Sequence, residues 1–302
     1  MQTNNDNDIH RVASVPDMLE SNDNFDETMS IKITQVPSII IPANRIATAM
    51  KYAPIFRLHS KEVFLPSSFD YVLGNVHVEG SILRINQTLT KPEQILPWFY
   101  GTNNPTPYIL YSESKANPNM WTANYFLFYP YNKGKTILGY QIGNHVGDWE
   151  HASITFINSN PITITWSYHA KFESVPWSSN VVSKLGGRPV FYIAKGSHGV
   201  HPSVGKFKYL GDLAFFVYDE TDSGPIIDMN SAIFITSDNA NGYQYTVDAK
   251  GNNVPLSCIS NIPWTAYNLF GHPALGKVKL LNFTLWRLSG YNKIPTKEYT
   301  SN

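Results

Sequence analysis

Hydrophobic and polar positions along this chain alternate over short runs instead of recurring at helical spacing. Ile31-Lys32-Ile33-Thr34-Gln35-Val36 alternates cleanly and Ile39-Ile40-Ile41-Pro42 extends it, so the folded domain is expected to start near Ile31. Residues 51–59, 62–69, 162–169, 189–199, 213–218 and 243–247 read as further strands, with weaker signals over 76–90 and Gly, Asn and Asp turns between them. Residues 121–131 are aromatic almost throughout and apolar on both faces, the pattern of a central strand covered from both sides. Residues 92–100 carry a short helical turn. The expected fold is all-β: an antiparallel β-sandwich with short helices and long loops, forming one domain over residues 31–302.

Composition sharpens this picture in a few places. Residues 1–30 are rich in Asn, Asp and Ser, bury too little apolar surface to offset ordering entropy, and are expected to form a disordered polar tail. The whole chain has 302 residues, is 42% hydrophobic, contains 18 Tyr and 7 Trp, and is formally uncharged. Balanced charge without a Lys/Arg cluster excludes a nucleic-acid footprint, and no phosphate loop or dinucleotide fingerprint supports nucleotide binding. A single cysteine, Cys258, rules out an internal disulfide framework and reads as a small buried hydrophobe. No apolar run reaches membrane-spanning length and no signal peptide is evident. The location expected is therefore cytoplasmic or peripheral to a membrane, with unconventional secretion left open.

The chemistry concentrates in residues 143–156, Gly-Asn-His-Val-Gly-Asp-Trp-Glu-His-Ala-Ser-Ile-Thr-Phe, a turn feeding a strand. Side chains two apart share a face of a strand, so Asp148 and Glu150 align with Ala152, Ile154 and Phe156 at the rim of the apolar side, while Trp149 and His151 take the other side. A carboxylate in such a place costs several kcal/mol, roughly, unless a cation compensates it. His145, arriving from the turn, completes a His-x-x-Asp-x-Glu cluster spanning 143–151. Asn132 ends the aromatic strand within reach of His145, as a fourth oxygen ligand or as a plain turn residue. Two other strands deliver His169 and the glycine-flanked His198 at their C-terminal ends; these two, with Trp149 and His151 of the motif itself, are expected behind the ligands or facing a bound molecule. His201 reads as a surface residue. Asp219, Glu220, Asp222 and Asp228 read as a solvated acidic loop, since EF-hand spacing is absent. Two carboxylates, an imidazole and an amide oxygen suit Ca²⁺ or Mg²⁺, ahead of Mn²⁺ or Zn²⁺.

Three blocks give the chain a family resemblance: Ala53-Pro54-Ile55-Phe56-Arg57-Leu58-His59 with Phe64-Leu65-Pro66-Ser67-Ser68, then Asn144-His145-Val146-Gly147-Asp148-Trp149-Glu150-His151, then Gly187-Arg188-Pro189-Val190 through His198. Together they resemble the vacuolar protein sorting-associated protein 62 family. Farther along, Leu269-Phe270-Gly271-His272-Pro273-Ala274-Leu275-Gly276 follows that family's pattern only in part. More distantly, the core is similar to the necrosis- and ethylene-inducing peptide-like proteins, whose signature Gly-His-Arg-His-Asp-Trp-Glu aligns its first His with His145 and its acids with Asp148 and Glu150. Its second His falls on Gly147. The resemblance implies a β-sandwich holding a divalent metal through this block, with an upstream ligand at Asn132, where an amide stands for an acid. It also implies recognition of membrane glycolipids or glycan head groups, with cytolysin-like membrane damage.

Three functional readings follow. The first is a metal-dependent recognition protein of that kind. The second is a metal-assisted hydrolase with His169 or His198 as base, which no nucleophile motif supports. The third is an intracellular trafficking or interaction protein whose metal site is structural.

Overall fold

The computed structural model describes residues 41–80, 82–91, 93–137, 140–169, 171–208, 217–238, 242–252, 258–259, 262–263, 276–280, 283–287 and 289–290, all within the compact unit Ser38–Asn302. The expected tail over 1–30 and the strand over 31–36 lie outside these residues. Of the alternating stretch 39–42, Ile41 and Pro42 are described, and they lie outside any strand. Pro42 caps a helix, α1 (Ala43–Tyr52), its carbonyl accepting from the N–H groups of Arg45 (2.8 Å) and Ile46 (3.1 Å). Good helix formers follow, and Ile46 and Ala49, one turn apart, are the buried residues of this helix.

Strands follow in quick succession. β1 (Ile55–Arg57) precedes the four-residue helix α2 (Asp70–Leu73), the hairpin β2 (Val76–Glu79) with β3 (Ile82–Ile85), and a 3₁₀ turn at Pro97–Tyr100 inside the expected helical stretch. Then come β4 (Tyr108–Glu113), β5 (Met120–Asn132), β6 (Lys135–Ile137), β7 (Tyr140–Ile142), β8 (His145–Ile157), β9 (Asn160–Tyr168) and β10 (Lys171–Pro176). After them run β11 (Lys184–Leu185), β12 (Arg188–Ile193), β13 (Val200–His201), β14 (Gly205–Lys208), β15 (Tyr218–Thr221), β16 (Ile226–Ile227), β17 (Ile233–Asp238) and β18 (Gly242–Asp248). The segments β19 (Cys258–Ile259), β20 (Ile262–Pro263), β21 (Gly276–Leu280), β22 (Phe283–Arg287) and β23 (Ser289–Gly290) complete the order.

Two main sheets result. The larger has eight strands, ordered β10-β9-β8-β5-β4-β17-β18 with β23 added to β8; the smaller has five, ordered β11-β12-β1-β16 with β13 on β12. The fold is all-β, yet the sheets are mixed: β1 runs parallel to β12, β17 to β4, and β23 to β8. The ladders of β5 with β4 and β8, and of β9 with β8 and β10, are antiparallel, as expected; the three parallel contacts were not legible because alternation along one strand carries no signal for the direction of its neighbour.

The aromatic β5 is central because both of its faces are covered. One face, with Tyr125, Leu127 and Tyr129, packs with Ala152, Ile154, Phe156 and Trp166 against Phe56, Phe191, Ile193 and Val200 of the smaller sheet. The opposite face, with Phe126 and Phe128, is covered by Phe64 and Phe69 from the loop before α2, Val72 of α2, Leu83 of the β2–β3 hairpin, and Trp98 and Phe99 of the 3₁₀ turn. Phe99 stacks on Tyr131 with centroids 4.5 Å apart, and Trp121 on Phe156 at 4.3 Å. Long paired strands under two aromatic layers give β5 and β8 a rigid platform at one end of the sheet.

Candidate functional site

Regular alternation would put His145 on the face opposite Asp148. The chain avoids this through one backbone feature. Gly147 lies within β8 at φ 71°, a left-handed conformation open to glycine, and the register that pairs Tyr129 with Asp148 and Tyr131 with Val146 sets it opposite Pro130. Past that pair both strands invert their phase. Val146 therefore shares an aromatic layer with Trp149, and Tyr131 shares it with Phe128, although each pair is an odd number of residues apart. His145 and its cross-strand partner Asn132 are left on the face of Asp148 and Glu150.

Each expected residue can now be placed. His145 is half-buried and its Nδ1 lies 2.7 Å from the Gly147 carbonyl, a contact that puts the proton on Nδ1 and the ring lone pair on Nε2. Burial lowers its pKa, an effect that the Asp148 charge and the Gly147 hydrogen bond partly offset. Asp148 and Glu150 are 3% and 7% exposed. Asn132 does not offer its oxygen to this site. Its Nδ2 donates to Asp148 Oδ2 (2.9 Å) and to the Ser197 carbonyl (3.1 Å), while its Oδ1 accepts from the Gly134 N–H (2.7 Å). Asn132 thus orients Asp148, a correction to its expected place as a ligand.

His198 arrives from the loop after β12. That loop is tied to the end of β5 by the Lys133 and Gly134 N–H groups, which donate to the Gly196 carbonyl at 2.9 and 3.2 Å. His198 adopts φ 58°, stacks on the Tyr129 ring with centroids 3.8 Å apart and planes 8° from parallel, and brings Nδ1 to 3.1 Å from Asp148 Oδ2. Trp149 and His151 do not join. Trp149 packs against Phe128 and Tyr108, and His151 stacks on Phe126 with its Nδ1 2.7 Å from Ser167 Oγ, both on the far face of the sheet. They are core residues, a correction to their expected place behind the ligands; their odd spacing from Asp148 and Glu150 turns both to the other face.

Further groups around the site carry no motif in the sequence. Glu62 lies against the site with its side chain 2% exposed; its Oε2 accepts from the Gly196 N–H at 2.6 Å and stands 3.9 Å from His198 Nε2. Asp219, taken for part of a solvated loop, is 1% exposed and acts as a hub. Its Oδ1 accepts from Ser197 Oγ (2.5 Å) and Lys135 Nζ (2.9 Å), and its Oδ2 from the Nε2 atoms of His169 (2.6 Å) and His201 (2.9 Å). His201, expected on the surface, is 2% exposed because of this bond. Burial opposes the Asp219 charge, but the two imidazoles and Lys135 hold its carboxyl well below the usual carboxylate range. Ser197, beside the glycine-flanked His198, was the nearest signal.

The site therefore has a satisfied half and an unsatisfied half. Glu150 accepts no hydrogen bond among the described residues, and burial, then the Asp148 and Asp219 charges, push its carboxyl well above the ordinary range. The Tyr129 hydroxyl and His198 Nε2 are buried without a hydrogen-bond partner. Burial, then Glu62, Glu150 and Asp148, raise the Tyr129 phenol far above normal. Among the described residues, no three His, Cys, Asp or Glu side chains already meet as a metal-binding group.

No protein-family model matches the chain. It is similar to two curated proteins of Saccharomyces cerevisiae. One is the putative vacuolar protein sorting-associated protein TDA6, 27% identical over 303 residues, covering 79% of this chain and 60% of the relative. The other is vacuolar protein sorting-associated protein 62, 32% identical over 167 residues, covering 49% of this chain and 33% of the relative. The chain thus spans less than two thirds of either relative. Among solved structures, a toxin fold for microbial attack and plant defense superposes with a TM-score of 0.35 at 13% identity, over 66% of this chain and 76% of that one. Necrosis and ethylene inducing protein 2, from the causal agent of cocoa's witches' broom disease, gives 0.35 at 15% identity over 57% and 72%. The protein NLPPya in complex with mannosamine gives 0.35 at 13% identity over 58% and 73%.

Proposed function

We propose that this chain is a recognition module that takes a hard divalent cation, Ca²⁺ or Mg²⁺, at Asp148 and Glu150 with His145 beside them, and uses it to engage glycan or glycolipid head groups at a membrane. The observation that carries this reading is Glu150: a buried carboxyl with no hydrogen-bond donor among the described residues, set beside two other acids. Such a group either keeps its proton or awaits a cation. Oxygen donors from two carboxylates suit Ca²⁺ or Mg²⁺, with water and ligand hydroxyls supplying the remaining positions. The Nδ1 contact of His145 with Gly147 sets the tautomer in which Nε2 is the imidazole atom able to ligate a metal. Asn132 and His198, both directed at Oδ2 of Asp148, hold that carboxylate in place.

The His-x-x-Asp-Trp-Glu block supports the glycolipid part of the reading through its resemblance to the necrosis-inducing proteins. The sequence similarity to vacuolar sorting-associated proteins favours an intracellular membrane as the surface. Isothermal calorimetry on the full chain tests the cation site. One-site binding of Mg²⁺ or Ca²⁺ is expected, abolished by Glu150→Gln or Asp148→Asn in variants that keep their circular dichroism. Unchanged affinity in both variants sinks the proposal. Flotation with glycolipid vesicles, with and without chelator, tests the surface; chelator-insensitive binding refutes a role for the cation in it.

A further inference from the structure

Outside the acid cluster, a cleft of about 150 Å³ opens between β9, β10, β13 and β14, lined by Trp166, Tyr168, Glu173, His201, Phe207 and Lys208, with Pro202. Its volume is well under the ~300–1,000 Å³ of pockets for drug-sized ligands, so only a small group fits. The inner wall is aromatic. Trp166 and His201 are buried, Tyr168 and Phe207 are half-buried; Phe207 stacks on His201 with centroids 4.0 Å apart, and Tyr168 packs tilted against His201 at 5.0 Å. The exposed rim carries one charge of each sign, Glu173 and Lys208. The Tyr168 hydroxyl donates to Glu173 Oε1, which fixes the carboxylate at the edge of the aromatic wall.

We propose that this cleft binds a zwitterionic phosphocholine group, its quaternary ammonium against the aromatic wall and Glu173, its phosphate toward Lys208. Aromatic rings attract a quaternary ammonium through their quadrupole, most strongly where water is excluded, and an adjacent carboxylate adds to the attraction. Opposite charges at the rim fit a ligand that carries both signs. They fit a sugar less well, because a pyranose offers a ring of neutral hydroxyls and this wall supplies few polar partners for them. The free headgroup and the surface of a phosphatidylcholine bilayer present the same chemistry. The inference does not rest on the cation reading, because none of the cleft residues is among its ligands.

The test uses the full chain, titrated with phosphocholine, choline and glucosamine by calorimetry in the presence of chelator. Phosphocholine is expected to saturate one site. Glu173→Gln should weaken phosphocholine and choline about tenfold each, a loss of about 1.4 kcal/mol. Lys208→Ala should weaken phosphocholine and leave choline unchanged. Both residues are exposed, so melting temperatures should stay at the parent value. Flotation then separates the two sources: retention on phosphatidylcholine vesicles but not on phosphatidylglycerol vesicles identifies the bilayer, and binding of free phosphocholine alone identifies the soluble group. The proposal is overturned if phosphocholine gives no saturable heat, if Glu173→Gln binds as tightly as the parent, or if glucosamine fills the cleft and phosphocholine does not.

Discussion

Replacing Glu150 by Gln should change how stability depends on pH, and the sign of the change is fixed by its surroundings. The folded-state pKa lies well above the reference value of 4.5, because burial and the neighbouring acids disfavour the charge. Below 4.5 the carboxyl is protonated in both folded and unfolded chains and exerts no pH dependence. As pH rises past that point the unfolded chain releases the proton first, so the folded state loses about 1.4 kcal/mol per pH unit until Glu150 also ionises. His145 and His151 pull the other way below pH 6.5, since burial keeps both neutral in the fold, so the total curve there mixes opposing slopes. The quantity to read is the difference between variant and parent. Urea melts with chelator, taken from pH 4 to pH 8.5, should give a difference that climbs in favour of Glu150→Gln by about 1.4 kcal/mol per unit and then levels off. Buried amide atoms of the new Gln shift this curve vertically and leave its slope intact. Saturating Mg²⁺ at 100 times its Kd should restore about 2.7 kcal/mol to the parent at pH 8 and nothing to the variant. A difference that stays flat across the whole range would mean that the Glu150 charge is already compensated, and the reasoning fails.

Other outcomes follow from the same geometry. Asp219→Asn leaves Lys135, His169 and His201 without their carboxylate and should cost about 3–5 kcal/mol in a denaturant melt; a cost under 1 kcal/mol, roughly, would show that the hub is not structural. Tyr129→Phe removes a buried hydroxyl that has no partner and should stabilise the cation-free chain by about 1 kcal/mol, checked by the shift in melting temperature. Gly147→Ala forces a side chain into the left-handed region and should cost about 1–3 kcal/mol while weakening cation binding, whereas a variant as stable as the parent would mean that the phase inversion is not needed. His151→Phe should flatten the acid limb of the stability profile, because burial depresses that imidazole to about 3; its contribution is present above pH 6.5 and is lost as pH falls toward 3.

The parts of the fold legible from the sequence are those set by local pattern. The run over 121–131 has apolar side chains on both faces, and β5 is indeed covered on both; the alternation from Ala152 to Phe156 places those side chains in the core between the sheets. Helix α1 was missed because its two core contacts, Ile46 and Ala49, form too narrow a stripe to outweigh the β-branched residues before it. In the site, Asp148 and Glu150 could be paired from spacing alone. His145 reaches them only through the left-handed Gly147, and dihedral angles leave no periodic trace in sequence. Asp219 and His201 looked exposed because their acidic and polar neighbours in the chain are exposed; what buries them is each other, together with His169 and Lys135.

The parallel ladder joining Ile55 to Val190 bears on how the molecule is made. While the polypeptide leaves the ribosome, β1 emerges early and has no neighbour until residues 188–193 follow, and Asp219, which anchors His169 and His201, emerges later still. Pairings this distant close slowly, so the aromatic β5 and the two acids of β8, though paired with each other, spend that interval with one face uncovered. Synthesis in the cell should therefore depend on a chaperone that shields residues 120–157 until the second sheet has been translated.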